Sequence, residues 1–392
     1  MQVSQAIGKM QAAISELIDA DAHVNPAPTF WDEYLPAKFA GRGPRWEAGG
    51  PDDAHDWIVF EGSRKPLNLM SAVSGQGKEF RPTGKQELLR AGNWEPASRL
   101  ADMDQDGVTT AVMYGGGPLG SKDNELYLAS FEAYNRWLAD FCAYNPQRLV
   151  GVAYLPMQDV DHAVAMVKDA AKRGLRGVNI PAFPQSKNGQ QIGGFGAQVL
   201  ALTGDPDGPR QYDDPEFDPF WKACVDRDMA VTIHLGARIA RPGQFKFLPN
   251  MVMSKLCMAE PIAIIIFGGV FDRFPALRFG TIESGAGWLA FVAEYMDGIY
   301  DNQRHWLKLD LAMKPSGYFD RNIYASFIRD REGIRNRSLP GGRNIMWSTD
   351  YPHSETTWPK SREVMDWQFG ELTEEEMRPI VHDNARRFYG LG

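Results

Sequence analysis

Leu17-Ile18-Asp19-Ala20-Asp21-Ala22-His23 is a short apolar run interrupted by acids and ending on a histidine. Strand alternation points Asp21 and His23, two residues apart, to the same face. Seven further runs of six or seven residues and similar apolar, partly β-branched character follow at 108–114, 149–155, 175–180, 229–234, 277–283, 322–327 and 344–350, the kind buried in parallel sheets. Amphipathic segments at 123–144, 161–173, 219–227 and 261–273 are long enough for the crossover helix that a parallel pair requires. Eight strands with intervening helices predict an α/β chain folded as a (β/α)8 TIM barrel, with no copy of a 20–50-residue sequence repeat.

Such a barrel takes about 250 residues, and the chain has 392. The surplus predicts large insertions after strands 1 and 4 within one domain spanning 1–392. Residues 26–93 are rich in Gly, Pro and Trp, and residues 181–214 contain Gly193-Gly194-Phe195-Gly196 and Gly204-Asp205-Pro206-Asp207-Gly208. Both leave a barrel strand at its C-terminal end, the face where barrel enzymes build their sites, so both read as walls or lids of a pocket. Thr373 and Glu376 form a capping box that starts a final helix running to Gly390.

Apolar residues at 43% and charged residues at 23% describe a folded globular chain. The longest strongly apolar run, 261–271, is about half of the ~20 residues that cross a bilayer, and no signal design opens the chain, so no membrane partner and a cytoplasmic location are expected. The formal charge of −8 argues against nucleic acid as a partner. Cys142, Cys224 and Cys257 are widely spaced, without CxxC or a disulfide framework, and read as buried thiols. A metal would then be held by oxygen and nitrogen.

The polar interruptions carry the functional reading. Asp21 and His23 end the first strand, His234 the fifth, Glu283 the sixth and Asp350 the eighth. In a barrel these ends converge on one mouth, and three carboxylates so gathered repel one another unless a divalent cation lets all of them ionise. His353, three residues past Asp350, could serve as proton donor, substrate contact or added ligand. Asn25 and Arg238 border the site as substrate-binding candidates, Arg238 either through its planar fork on a carboxylate or in a surface salt bridge. His162 and His382 read as solvated. Gly115-Gly116-Gly117-Pro118-Leu119-Gly120 matches G-x-G-x-x-G, but Pro118 breaks the geometry and the next strand ends without a ribose-binding acid, so a substrate-accommodating loop is the simpler account.

The chain resembles the amidohydrolase-related barrels that include aminocarboxymuconate-semialdehyde decarboxylase and the resorcylate-type decarboxylases. The likeness rests on Asp19 to Asn25, on Arg99-Leu100-Ala101-Asp102-Met103-Asp104-Gln105-Asp106-Gly107, on His234-Leu235-Gly236, on Glu283-Ser284-Gly285-Ala286-Gly287-Trp288, on Pro315 to Phe319 and on Ser348 to His353. It implies that His23, His234 and Asp350 are metal ligands, with Asp21 completing the first-strand pair, and that zinc is the metal. The chain departs from the pattern in having Glu283 where many decarboxylases have a histidine, and Pro26 where many members have a glutamate. The expected function is that of a metal-dependent enzyme on a small organic substrate, aromatic or carboxylate-bearing. It would act by metal-activated-water hydrolysis or by non-oxidative decarboxylation, with Glu283 or Asp350 taking a proton and His353 returning it. The surplus of oxygen ligands supports an alternative, a dinuclear iron or manganese–iron monooxygenase. The resemblance implies a homo-oligomer; a related barrel subunit is the other partner considered.

Overall fold

The computed structural model describes residues 16–27, 29–184, 210–234, 247–370 and 372–392. Eight parallel strands follow one another in space in their order along the chain: β1 (Ile18–Val24), β5 (Thr110–Gly115), β6 (Leu149–Tyr154), β7 (Gly177–Ile180), β8 (Ala230–His234), β9 (Phe279–Ile282), β10 (Ile323–Phe327) and β11 (Ile345–Trp347). Each lies within two or three residues of its expected bounds. β2 (Arg45–Glu47), β3 (Trp57–Phe60) and β4 (Ser63–Pro66) form a separate antiparallel sheet in the segment after β1. The barrel closes between its first and last strands. Asp350 N donates to Asp21 O at 2.9 Å and His23 N to Tyr351 O at 2.5 Å, so the seam is tied by the backbone of the candidate ligands themselves.

β1 carries a register irregularity between Asp19 and Ala22. Below it Ile18 and Ala20 belong to the barrel interior, and above it Ala22 and Val24 pack in the helix-facing layer. The bulge therefore reverses the phase of the strand and turns Asp21 and His23 inward while Asp19 points out. Plain alternation would have put all three on one face. The interior under the mouth is filled from below by the last helix, Asn384–Tyr389, whose Phe388 and Tyr389 enter between the strands. Gly280 makes room for it, since a Cβ there would lie 2.6 Å from the Phe388 ring.

Several local expectations are corrected. The helix expected over 261–273 is two helices, Ala259–Phe267 and Val270–Arg273, broken at Gly269 in the left-handed region. The capping box of Thr373 and Glu376 opens the final helix, which runs as expected to Gly390 but with a π-helical segment at Pro379–Asp383 between Glu374–Arg378 and Asn384–Tyr389, where the proline cannot donate into the helical ladder. His382, expected to be solvated, is buried in that segment with Nδ1 2.7 Å from Asp383 Oδ1. Cys142 and Cys224 are buried, whereas Cys257 is only partly so. Leu248–Phe267, 20 residues of mean hydropathy 1.5, is by length and composition apolar enough to cross a membrane, a longer stretch than 261–271. Its Ile262, Ile265 and Ile266 are buried in the barrel's outer core. Of the segment 181–214, residues 185–209 lie outside the described residues.

Candidate metal centre

Asp21, His23, His234, Glu283 and Asp350 meet at the mouth of the barrel, and His353 joins them. His234 Nε2 lies 3.2 Å from Asp21 Oδ1 and 3.7 Å from Glu283 Oε2; His23 Nε2 lies 3.4 Å from Asp21 Oδ1 and 3.2 Å from Asp350 Oδ1. The His353 ring stacks on that of His23 with centroids 3.8 Å apart, and its Nδ1 is 3.1 Å from Asp350 Oδ1. Tyr114 closes the floor beneath, 5.1 Å from the His234 ring. Glu283 and Asp350 stand just past their strands with left-handed backbone, φ 56° and 58°. These uncommon conformations for side-chain-bearing residues turn both carboxylates into the mouth.

The electrostatics are those of a crowded acid cluster. Burial pushes Asp21 up, but the charge of His234 and the bond to His23 outweigh it and hold the carboxyl below its usual range. Burial likewise opposes ionisation of Asp350, and His353 and His23 overcome it. Glu283 goes the other way: burial, then the charges of Asp350 and Asp21, push it well above an ordinary glutamate. Burial would lower His23, yet the neighbouring carboxylates of Asp21 and Asp350, 3.4 and 3.2 Å away, lift it to about 10. His353 is pushed down by burial and by the charge of His23. Crowding of these carboxylates thus favours the protonated forms of His23 and Glu283.

The donor set fits a divalent cation. Asp21 Oδ2, His23 Nε2, Glu283 Oε2 and both Asp350 oxygens are buried without a hydrogen-bond partner, and buried polar atoms are seldom left so. Two overlapping groups have ligand atoms mutually within 4.8 Å: Asp21, His23, His234 and Glu283, and His23, Glu283, Asp350 and His353. The two groups share His23 and Glu283.

Several residues that the sequence reading did not single out hold this centre. Asp19, turned outward by the bulge, accepts from Thr349 N at 2.8 Å and from the Thr349 hydroxyl, tying β1 to the loop that carries Asp350. Burial pushes its carboxyl up to about 7 against those two bonds. Arg99 is buried on the Pro96–Asp106 helix and donates to the carbonyls of His23 and Gly92 while lying 4.4 Å above the Tyr351 ring. The Tyr351 hydroxyl donates to Asp102, and Ser326 Oγ accepts from Glu283 N at 2.8 Å. Arg99 and Asp102 stand within a motif already quoted, but a helical arginine and aspartate carry no sequence mark of burial.

Asn25 donates from Nδ2 to Ser71 O and Asn93 Oδ1, both at 2.8 Å, and so bolts the segment after β1 to the barrel. Arg238 lies outside the described residues. Asp123 caps the helix that follows the glycine loop by accepting from Glu125 N and Leu126 N, so a carboxylate of the chain holds the place a nucleotide phosphate would take. A cavity of ~670 Å³ opens onto Glu283 and is walled by Val73, Phe80, Lys255, Ile328, Arg329 and Trp358 among others.

Residues 18–391 match the family described as amidohydrolase. The chain is 25% identical over 313 residues to 2-amino-3-carboxymuconate-6-semialdehyde decarboxylase of Dictyostelium discoideum, covering 76% of this chain and 77% of that one. It is also 25% identical over 313 residues to gamma-resorcylate decarboxylase of Rhizobium sp. (strain MTP-10005), covering 75% and 86%. Dihydroxybenzoic acid decarboxylase from Polaromonas sp. JS666, solved with bound manganese and the inhibitor 2-nitroresorcinol, shares the fold with a TM-score of 0.63 at 18% identity, over 96% of this chain and 98% of that one. Matched over nearly its whole length, the chain belongs to the amidohydrolase family, in the subgroup of the semialdehyde and resorcylate decarboxylases, and is an enzyme of metal-dependent hydrolase or carboxy-lyase type.

Proposed function

We propose that the chain catalyses the non-oxidative, metal-dependent decarboxylation of a small aromatic carboxylate. The observation that carries this reading is the set of unpartnered buried ligand atoms, one of whose residues, Glu283, also lines a cavity walled by Phe80, Ile328 and Trp358. The named decarboxylases support it. Asp21, His23, His234, Glu283 and Asp350 would hold one divalent ion, which polarises the substrate carboxylate and a neighbouring oxygen when bound. Oxygen donors outnumber imidazoles here, which favours manganese over the zinc expected from the resemblance, and the Polaromonas decarboxylase carries manganese.

The chain's own residues supply the rest. Val73 and Phe80, from the segment after β1, wall the cavity and exclude water from the ring. His353 has its Nδ1 3.1 Å from Asp350 Oδ1 and its ring stacked on that of His23. As the C–C bond breaks and carbon dioxide leaves, the electron pair stays on the ring carbon, and that carbon takes the Nε2 proton of His353, which must enter the step as the imidazolium paired with Asp350 and leave it as the neutral ring. Water then reprotonates His353. The missing strand-six histidine is thereby replaced from the loop after β11.

Metal analysis with a carbon dioxide release assay on gamma-resorcylate and related aromatic acids tests the reading. The expected result is one metal per chain and release without oxygen, with solvent deuterium appearing at the vacated ring carbon. Hydrolysis of an amide or ester without carbon dioxide release overturns it in favour of a hydrolase. Two redox-active ions with oxygen uptake overturn it in favour of the dinuclear oxygenase.

A further inference from the structure

The mouth of the barrel holds more negative charge than one divalent ion offsets. Asp21, Glu283 and Asp350 surround the centre, and Glu355 adds a carboxylate to the cavity wall. An anionic substrate entering along this cavity meets a repelling field unless the protein answers it with cations on the same path.

Two cations face that path. Lys255, on the Phe247–Leu256 helix, donates from Nζ to the carbonyl oxygen of Glu283 at 3.0 Å. It lies 3.6 Å from Glu283 Oε1 and 3.8 Å from Glu355 Oε2, ion-pair distances too long for hydrogen bonds. An ammonium has three donors, so part of its capacity stays open toward the cavity. Arg329, two residues past β10, donates from Nη1 to Glu355 O at 2.6 Å and from Nη2 to Thr356 O at 3.1 Å. These two bonds fix the plane of the guanidinium, and it pairs with no carboxylate among the described residues. Lys360 also lines the cavity, but its side chain is 67% exposed and sits 3.7 Å from Glu363 Oε2, which engages it outside.

We infer that Lys255 and Arg329 form an anion receptor beside the metal centre, which shares with the ion the carboxylate of a bound aromatic acid and discriminates against the uncharged ring. Glu283 is the hinge of the arrangement: its carboxylate faces the centre, while its carbonyl oxygen holds Lys255 at the rim. Phe80, Ile328 and Trp358 give the ring an apolar seat beside the two cations. The inference rests on the decarboxylase reading only in taking the substrate to be a carboxylate.

The test is binding, measured by calorimetry on manganese-loaded protein with gamma-resorcylate and with resorcinol, the same ring without its carboxylate. Wild type is expected to prefer the carboxylate. Lys255→Met and Arg329→Met each weaken gamma-resorcylate at least about tenfold, as loss of a charge-assisted contact does, and change resorcinol by less than about twofold. Lys255→Arg restores most of the loss. Manganese content and thermal midpoint, measured on every variant, separate this effect from a damaged centre. No preference for the carboxylate in wild type, or equal losses for both probes, overturns the receptor. If the Lys255-dependent preference is found without carbon dioxide release, the receptor stands and decarboxylation falls. Carbon dioxide release with KM unchanged in both variants overturns the receptor and leaves decarboxylation standing.

Discussion

Glu283 and Asp350 combine burial, mutual repulsion and left-handed backbone, each unfavourable to folding by itself. Left-handed backbone alone costs an L-residue about 1–2 kcal/mol, so these positions trade stability for ligand geometry. Glu283→Gln is therefore expected to bind manganese at least about tenfold more weakly, yet to melt at a higher temperature than wild type in chelator, because a buried acid has gone. A lower melting point in chelator would show that Glu283 is a structural acid. Arg99 behaves oppositely: Arg99→Met strands the carbonyls of His23 and Gly92 and should cost about 2–4 kcal/mol in denaturant unfolding, and Arg99→Lys recovers little because an ammonium cannot span both carbonyls. At this scale the sequence exposed the residues that interrupt strands and hid those that interrupt helices. Asp21, His23, His234, Glu283 and Asp350 broke apolar runs, whereas Arg99 and Asp102 sat among polar neighbours where nothing distinguished them; Lys255 interrupts an apolar helix and was passed over because the reading followed strand ends.

Among the elements, strands were legible because burial on both faces makes them nearly continuous apolar runs. Their ends moved by two or three residues, and the bulge in β1 left no mark, since Asp19, Asp21 and His23 fit an unbroken period of two. The sheet of β2, β3 and β4 went unread because its strands are short and half exposed. Gly115 belongs to this scale. A Cβ there would lie 1.2 Å from the Tyr134 hydroxyl, so the glycine loop is shaped by a packed tyrosine, and Gly115→Ala should destabilise by about 1–3 kcal/mol in a thermal melt. The helices Asn124–Ala143 and Val160–Lys172 are joined by Glu132 and His162, 3.1 Å apart. Their bond raises the histidine above its ordinary 6.5 and, with His162 as partner, holds the glutamate below 4.5. Both shifts favour the charged pair, so its contribution is full between those ordinary values. It is lost as pH rises through the raised histidine value or falls through the lowered glutamate value. With side chains 27% and 57% exposed the effect stays under about 1 kcal/mol. Melts at pH 5.5 and pH 9 should show wild type losing more than His162→Gln, and equal losses would deny the bond.

For the whole molecule, eight runs joined by helices left few topologies to consider, and the barrel follows from their number and order. What fills the space over the mouth did not follow, because loops that wall a cavity are built from individual contacts such as Asn25 to Asn93. A thiol reagent checks the packing of the whole: Cys142 and Cys224 are buried, with burial pushing both thiols far up, so native protein should label once, at Cys257, and three times when unfolded. The seam between β1 and β11 has a further consequence in time. Asp21 and Asp350 are bonded through the backbone across more than 300 positions of sequence, so during synthesis the first pair of ligands leaves the ribosome long before its counterpart exists. No shorter portion of the chain holds the complete candidate site, and metal capture there would be an event of the finished protein, coincident with closure of the last strand.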